Sequence, residues 1–295
     1  MKPYLAYPEA LYLKPLLYGL EGNDSQFGRV VDIPASIALN MSRADLAGSH
    51  GETPEVSKTS GVSKNGCAFL SPLDYARHGA EYCIVPNVAV SSSLPTDTVQ
   101  LFVKSDIRNI TTMAVDIRVT SEIILAKIIL MEKYPNEQSQ QGSLQIIPMM
   151  PDVNAMLTRA DAALLVNLSP TTPSSDAFKL DLVEEWADLT DLPYVHGFWV
   201  GKENQMLVDD AERLMRARAE GAAHVETIAE QAAARSGISA KQAKSYLSSF
   251  TFDFGEQQSD SLKEFMSYAF YFGILPDIPE INFFDVGDAP KLSRN

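Results

Sequence analysis

The sequence has few residues of the types that bind metals or form covalent cross-links. It contains two cysteines, Cys67 and Cys83, and four histidines among 295 residues. The cysteines form neither a CxxC pair nor a zinc-type spacing, and no HExxH pair occurs. We therefore expect two reduced, buried thiols. We also expect no bound metal and no requirement for a nicotinamide or flavin cofactor.

Long apolar runs are missing as well. No run reaches the roughly 18 residues that a membrane-spanning helix needs. The first twenty residues are interrupted by Pro3, Pro8 and Pro15 and carry Glu9, so they do not have the apolar centre of a secretory signal. These absences predict a cytoplasmic protein that does not enter a membrane.

Positive charge is scarce. The chain has 24 Lys and Arg against 38 Asp and Glu, which gives a formal net charge of −14. This balance argues against binding to nucleic acid or to an anionic membrane surface. An anionic ligand would need a local group of hydrogen-bond donors, because the field of the whole chain opposes it.

The most informative stretch is DLVEEWADLTDLPYVHGFW, at residues 181–199. Its first nine residues have apolar side chains at helical spacing, with acidic residues between them. Pro193 cannot continue a helix. Residues 194–200 then have the composition of a buried strand, in which Gly197 permits the close approach of another backbone or of a ligand.

A second informative stretch lies in the middle of the chain. Residues 113–117 predict a strand, and residues 122–134 predict a helix that is apolar on nearly all sides and is therefore packed on most of them. Thr120 or Ser121 would cap this helix. The free N–H groups and the positive dipole at such a helix start can bind a carboxylate. Plain capping without any ligand explains the same residues.

Several stretches resemble the chorismate dehydratase family of futalosine-type menaquinone biosynthesis. Residues 181–199 resemble that family's pattern DL-x-x-x-W-x-x-L-T-G-L-P-[FY]-V-x-x-x-W, with Asp191 at the usual Gly. Residues 11–20 resemble its opening Y-L-N-S-x-P-L-x-Y-G-L. Further likeness occurs at residues 66–75 and 94–103, and in total it extends roughly from Tyr4 to Leu275. Residues 82–93 predict a strand pair and residues 159–168 predict a strand, and Pro15 would lie in the first turn of a helix.

The resemblance implies an α/β protein with the two-lobed fold of type II periplasmic binding proteins. Residues 1–95 and 198–295 would form lobe one, and residues 96–197 would form lobe two. Two strands would cross between the lobes, so we expect the ligand in the cleft between them. The polar segment 43–65 is longer than the family's connection, and we interpret it as an inserted surface loop, either a flap or disordered.

The resemblance also implies site residues. Tyr12 falls at a family Asn of the active site, and we expect its ring at the edge of the cleft, either acting in catalysis or filling the ligand's space. Asn167 and Leu168 replace the family's Gly-Asp. The other candidates are hydroxyl, guanidinium and amide groups that could bind the ligand: Ser71, Thr98, Arg118, Thr120, Ser121 and Asn167.

Three functions stay open at this point. The resemblance implies a hydro-lyase that removes water from chorismate to leave an enolpyruvyl-ether benzoate. The loss of the family Asn leaves room for a diverged cytoplasmic binding or sensor protein for an aromatic carboxylate, or for a different lyase or isomerase acting on a related acid. In each case the expected partner is a small anionic aromatic or cyclohexadiene carboxylate.

Overall fold

The computed structural model describes residues 3–21, 26–30, 66–78, 81–116, 121–135, 144–167 and 175–287. Several residues with sequence predictions lie outside these ranges: segment 43–65, Arg118, Thr120 and Leu168. Among the described residues, no helix is both long enough and apolar enough to cross a bilayer.

The strands follow one another along the chain in short, mostly buried segments. They are β1 (Tyr4–Ala6), β2 (Gly28–Val30), β3 (Gly66–Leu70), β4 (Cys83–Ser92), β5 (Val99–Val103), β6 (Thr112–Asp116), β7 (Gln145–Met149), β8 (Ala162–Val166), β9 (Phe178–Asp181) and β10 (Tyr194–Gly201).

The α-helices lie between and after these strands. They are α1 (Pro72–His78), α2 (Ser121–Lys133), α3 (Val153–Arg159), α4 (Leu182–Thr190), α5 (Val208–Ala223), α6 (Val225–Ser236), α7 (Ala240–Leu247) and α8 (Glu256–Tyr271). Two 3-10 helices, Leu11–Leu17 and Ile107–Asn109, complete the described helical elements.

The strands form two five-stranded sheets. The first has the order β2-β1-β3-β10-β4, and the second has the order β7-β6-β8-β5-β9. In the first sheet β1 runs parallel to β2 and β3, whereas β10 is antiparallel to β3 and β4. In the second sheet β6 runs parallel to β7 and β8, whereas β5 is antiparallel to β8 and β9. The two sheets match the α/β, two-lobed arrangement that the resemblance implies.

The chain crosses between the sheets twice. It leaves the first sheet after β4 and enters the second at β5, and it returns between β9 and β10. The lobe boundaries at 95/96 and 197/198 stay a prediction. The second crossing is complete by Tyr194, because β10 pairs with β4 from that residue onward.

Both informative stretches form the predicted elements. The helix expected at 122–134 is α2, with fully buried Leu125 and Ile128. The helix, break and strand expected at 181–200 are α4 and β10, and every residue of β10 is buried. Asp191 ends α4 with a left-handed φ of 57°, which explains why a glycine suits this position in the family pattern.

Three local predictions were wrong. Residues 82–93 form the single strand β4 rather than a strand pair, because the chain bends at Asn87, with a φ of 59°, and does not turn back. The strand predicted at 159–168 begins only at Ala162, because Arg159 still belongs to α3. Pro15 lies inside a 3-10 helix rather than in the first turn of an α-helix, because a proline offers no N–H for α-helical bonding.

One hydrophobic cluster joins the two sheets. It includes Phe198 of β10, Leu101 of β5, Leu125 of α2 and Phe265 of α8. Fully buried Trp186 of α4 belongs to the same cluster and donates from Nε1 to Ser261 Oγ at 3.2 Å. The sheets therefore share one core across the crossings.

Asp181 links the two crossings through hydrogen bonds. Its Oδ2 accepts hydrogen bonds from the backbone N–H groups of Thr96 at 2.9 Å and Asp97 at 2.6 Å, on the first crossing. Its Oδ1 accepts from Val183 at 2.9 Å and Glu184 at 3.3 Å, in the first turn of α4. Burial raises the pKa of this carboxyl, and the four N–H groups act in the opposite direction.

We predict that Asp181→Ala lowers the free energy of unfolding by about 3 kcal/mol, because it leaves buried N–H groups without an acceptor. Urea denaturation at neutral pH measures the loss. Asp152→Ala is the matched control, since Asp152 caps α3 through one exposed hydrogen bond to the N–H of Ala155, and its loss is expected to cost only about 1 kcal/mol. Equal losses in the two variants would make Asp181 an ordinary helix cap.

Candidate functional site

Tyr12 lies in the interior of the first sheet's lobe. The 3-10 helix that carries Tyr12 also buries Leu13 and Leu16 completely, and this packing fixes the direction of the Tyr12 side chain. The Tyr12 ring is 5.6 Å from the His196 ring and 5.6 Å from the Phe250 ring, centroid to centroid. It is 7% exposed, so the ring is buried in this lobe, and its place at the edge of the cleft stays a prediction.

Strand β10 supplies the two residues that complete this group of rings. Val195 pairs with Ser91 and Gly197 pairs with Val90, so His196 is the extra residue of a β-bulge. A bulge redirects a side chain and is common beside active sites. The His196 ring meets the Tyr194 ring edge-on, at 5.0 Å and 84°.

The absence of a side chain at Gly197 lets the bulged strand β10 lie close to β3. A Cβ atom placed there would lie 2.5 Å from the carbonyl oxygen of Leu70 and 2.5 Å from the Phe69 ring. Any side chain would push β3 away from β10. The close approach predicted at this glycine is therefore that of another backbone.

Two polar atoms of the ring group are buried without a partner. In the described ranges, the Tyr194 hydroxyl and the His196 Nε2 have no hydrogen bond, although the side chains are only 1% and 6% exposed. An unsatisfied buried polar group costs roughly 1–3 kcal/mol. Such a cost is typical of a place where a ligand or a bound water supplies the missing partner.

The group is uncharged at neutral pH. Burial lowers the pKa of His196 to about 3, so its imidazole is neutral. Burial also raises the pKa of the Tyr12 and Tyr194 phenols, and the Glu122 carboxylate of α2 raises both further. Glu122 lies in the first turn of α2.

Thr98 and Tyr246 extend the group toward the first crossing. The Thr98 Oγ1 and the Tyr246 hydroxyl are 3.4 Å apart, and the Tyr246 ring packs edge-on against Phe250 at 5.0 Å. Thr98 is 1% exposed. The structure therefore connects Thr98 to Tyr12 through two aromatic rings.

Ser121 and Ser71 each accept a hydrogen bond from the first turn of α1. Ser121 Oγ accepts the N–H of Leu73, in α1, at 3.0 Å, and this bond ties α2 to α1. Ser71 caps α1, because its Oγ accepts the N–H of Asp74 at 3.3 Å and also bonds the Asp74 carboxylate at 2.8 Å. Arg118 and Thr120, the other candidates at this helix start, lie outside the described residues.

Asn167 belongs to a polar network on the first crossing. Its Nδ2 donates to the carbonyl oxygen of Asp97 at 2.8 Å and to Gln100 Oε1 at 3.1 Å. Its backbone N–H donates to the carbonyl oxygen of Thr98 at 2.7 Å. The side chain thus orders the wall next to Thr98, and its contact with a ligand stays a prediction.

Tyr194, His196 and Tyr246 are not among the candidates that the sequence indicated. One signal was available for His196, since it is a polar residue inside a strand predicted to be fully buried. A buried histidine without a charged neighbour on its own strand needs a partner from elsewhere. No comparable signal marked the two tyrosines, because aromatic residues are ordinary components of a core.

The described residues contain no group of three or more His, Cys, Asp or Glu side chains that could hold a metal ion. Both thiols, Cys67 and Cys83, are free and buried. Burial raises the pKa of each, so neither is a reactive thiolate at neutral pH.

Comparisons with known proteins identify relatives of the chain. The family described as menaquinone biosynthesis matches residues 64–271, well over half of the chain. A chorismate dehydratase from Thermus thermophilus is 26% identical over 212 residues, which cover 68% of this chain and 78% of that protein.

Solved structures share the fold. Protein AF1704 from Archaeoglobus fulgidus has a TM-score of 0.64 at 18% identity and covers 92% of this chain and 98% of its own. The alkanesulfonate-binding protein SsuA from Xanthomonas axonopodis pv. citri has a TM-score of 0.54 at 12% identity, covering 95% and 96%. The Candida albicans CA3427 product, described as having the generic periplasmic binding protein fold, has a TM-score of 0.52 at 14% identity, covering 98% and 99%. The fold is therefore of the periplasmic-binding-protein type.

We predict that His196 makes the fold sensitive to acid. Its folded-state pKa of about 3 lies below the unfolded value of about 6.5, so protonation favours the unfolded chain. The free energy of unfolding should fall as the pH drops through the window from about 6.5 to about 3. Between pH 7 and pH 5 this histidine alone accounts for a loss of about 2 kcal/mol.

The measurement is urea denaturation at both pH values, for the wild type and for His196→Gln. The variant keeps a polar side chain of similar length but has no titrating group, so its loss between the two pH values should be smaller by about 2 kcal/mol. Identical losses would show that His196 is not buried as a neutral ring.

Proposed function

The chain belongs to the menaquinone biosynthesis family, and from this membership we propose that it is a hydro-lyase of the chorismate dehydratase type. Its reaction would remove water from chorismate and leave an enolpyruvyl-ether benzoate. The observation that carries the proposal is the buried ring group of Tyr12, Tyr194 and His196, with two polar atoms that have no partner among the described residues, in a chain of this family.

Such a reaction requires little covalent chemistry from the protein. Removal of water makes the ring aromatic, and aromatisation supplies the driving force. The enzyme must hold the carboxylates and align the departing groups, so positioning accounts for most of the rate enhancement. A closed group of aromatic rings suits a planar ring acid, because aromatic rings pack well against each other.

We assign the ligand carboxylate to the start of α2. The free N–H groups of a helix start and its dipole favour an anion, and this is the kind of local donor group that a chain of net charge −14 would need. Ser121 Oγ accepts from Leu73, which leaves its own O–H free to donate to the carboxylate. Arg118 and Thr120 remain proposed partners at the same place, with Ser71 behind them as the cap of α1.

Tyr12, Thr98 and Asn167 complete the proposed site. Tyr12 would act through its hydroxyl on the ring acid, in the place of the family's Asn. Thr98 would line the wall beside Tyr246. Asn167 would keep that wall in position through Asp97 and Gln100.

A second candidate function is binding without turnover. It is favoured by the complete burial of Tyr12, whose ring packs on His196 and Phe250 and is larger than the Asn of the family pattern. A protein with this substitution could hold an aromatic carboxylate as a sensor or carrier. The two candidates differ in one measurable property, the conversion of chorismate.

We predict that the purified protein consumes chorismate, with loss of substrate and gain of the dehydrated product followed by mass spectrometry. Tyr12→Phe keeps the ring and removes the hydroxyl, and it should lower kcat/KM by about 100-fold, the lower end of general acid–base contributions. Tyr12→Asn restores the family residue and is the informative comparison.

The outcomes separate the candidates. An inert wild type together with an active Tyr12→Asn variant would favour the binding protein over the enzyme. Equal rates in all three proteins would place Tyr12 outside the site. No conversion by any of them would remove the chorismate proposal.

We predict that Ser121→Ala weakens binding of the enolpyruvyl-ether benzoate about tenfold, the ratio that one charge-assisted hydrogen bond supplies. Isothermal titration calorimetry measures the affinity. Ser239→Ala removes a hydroxyl cap of the same kind from α7, where Ser239 Oγ accepts the N–H of Gln242 at 3.2 Å. This control should lower the melting temperature with no change in affinity. A Ser121→Ala variant that behaves in the same way would make Ser121 a purely structural link between α1 and α2.

A further inference from the structure

Three aromatic rings enclose the imidazole of His196. The ring centroids of Tyr194, Phe250 and Tyr12 lie 5.0, 5.4 and 5.6 Å from it. The bulge at His196 turns the imidazole into this enclosure. Strand β10 therefore carries two buried polar atoms without a partner among the described residues, the His196 Nε2 and the Tyr194 hydroxyl, on rings whose centroids are 5.0 Å apart.

We infer that the Tyr194 hydroxyl and the His196 Nε2 form one binding site for an uncharged hydroxyl group on the ring of the ligand. The inference rests on the proposed function for the choice of a ring acid as ligand. It adds the position and the chemistry of a second contact, separate from the carboxylate contact at α2.

The missing partners of the two atoms define what can bind. A neutral imidazole nitrogen either donates or accepts one hydrogen bond, and a phenol does both. A ligand hydroxyl also donates and accepts, so one hydroxyl can satisfy both atoms whichever nitrogen of His196 carries the proton. A methyl group at the same place would leave both atoms unsatisfied, at the full cost of two buried polar groups.

The groups of the pair disfavour a carboxylate. The His196 imidazole is neutral, because burial lowers its pKa to about 3, and the Tyr12 and Tyr194 phenols carry no positive charge. A carboxylate can only accept hydrogen bonds, and burying it without a positive partner is costly. The pair therefore favours a neutral oxygen over a carboxylate.

A second unpartnered N–H on the same strand provides a comparison. Trp199 Nε1 is also buried without a hydrogen bond, but its ring packs edge-on against Tyr7 and Phe69, each at 5.9 Å. It lies in the hydrophobic cluster that also contains Tyr12 and Phe250, but its own ring contacts are with Tyr7 and Phe69. Trp199→Phe therefore removes a buried orphan donor from β10 without changing the proposed pair.

The test compares two acids of matched shape, 4-hydroxybenzoate and 4-methylbenzoate, by isothermal titration calorimetry. The wild type should bind the hydroxylated acid about tenfold more tightly, the ratio that corresponds to one net hydrogen bond. Tyr194→Phe and His196→Phe should each reduce this preference to about threefold or less. Trp199→Phe should keep it.

Each outcome decides the inference. An unchanged preference in Tyr194→Phe, or the absence of any preference or of any binding in the wild type, would overturn it. Tyr194→Phe differs from the wild type by one oxygen atom, so it serves alone if His196→Phe does not fold. Conversion of chorismate is measured separately. A wild type that does not convert chorismate but prefers 4-hydroxybenzoate would support the inference and contradict the proposed activity. A wild type that converts chorismate but has no preference for 4-hydroxybenzoate would support the proposed activity and contradict the inference.

Discussion

The complete burial of strand β10 is the constraint on which the rest of the structure depends. All of its residues, Tyr194–Gly201, lie in the interior, between β3 and β4 and against the core shared with the second sheet. Burial requires Gly197 to have no side chain, because the backbone of β3 is too close. It also keeps His196 neutral and removes the Tyr194 hydroxyl from bulk solvent.

In the proposed site, different parts of the protein recognise the carboxylate and the ring of the acid. The chain is strongly acidic, and its described ring group contains no positive charge that could pair with an anion. The start of α2 offers backbone N–H groups instead, and Ser121 joins it to α1 across the interface between the lobes. Asp181 holds the crossings in register through four backbone N–H groups. These hydrogen bonds hold the elements around the proposed site in place.

Much of the fold could be predicted from the sequence, and most of the site could not. The elements at α2, α4 and β10 have clear apolar periodicity, and the family likeness fixed the two-lobed arrangement. Local patterns carry no information on contacts such as that between Thr98 and Tyr246, which are 148 residues apart. The bulge at His196 is equally invisible, because it depends on how β10 pairs with β4. The burial of Tyr12 could not be predicted for the same reason, since its contacts come from β10 and from Phe250.

The most direct measurement of the central claim is a crystal structure of the protein with bound 4-hydroxybenzoate. We expect the ring to lie within the group of Tyr12, Tyr194 and His196, with its hydroxyl within hydrogen-bonding distance, about 3 Å, of Tyr194 and His196 Nε2 and its carboxylate toward the start of α2. A ligand bound elsewhere, with the Tyr194 hydroxyl and His196 Nε2 contacted only by water or by no group, would contradict it.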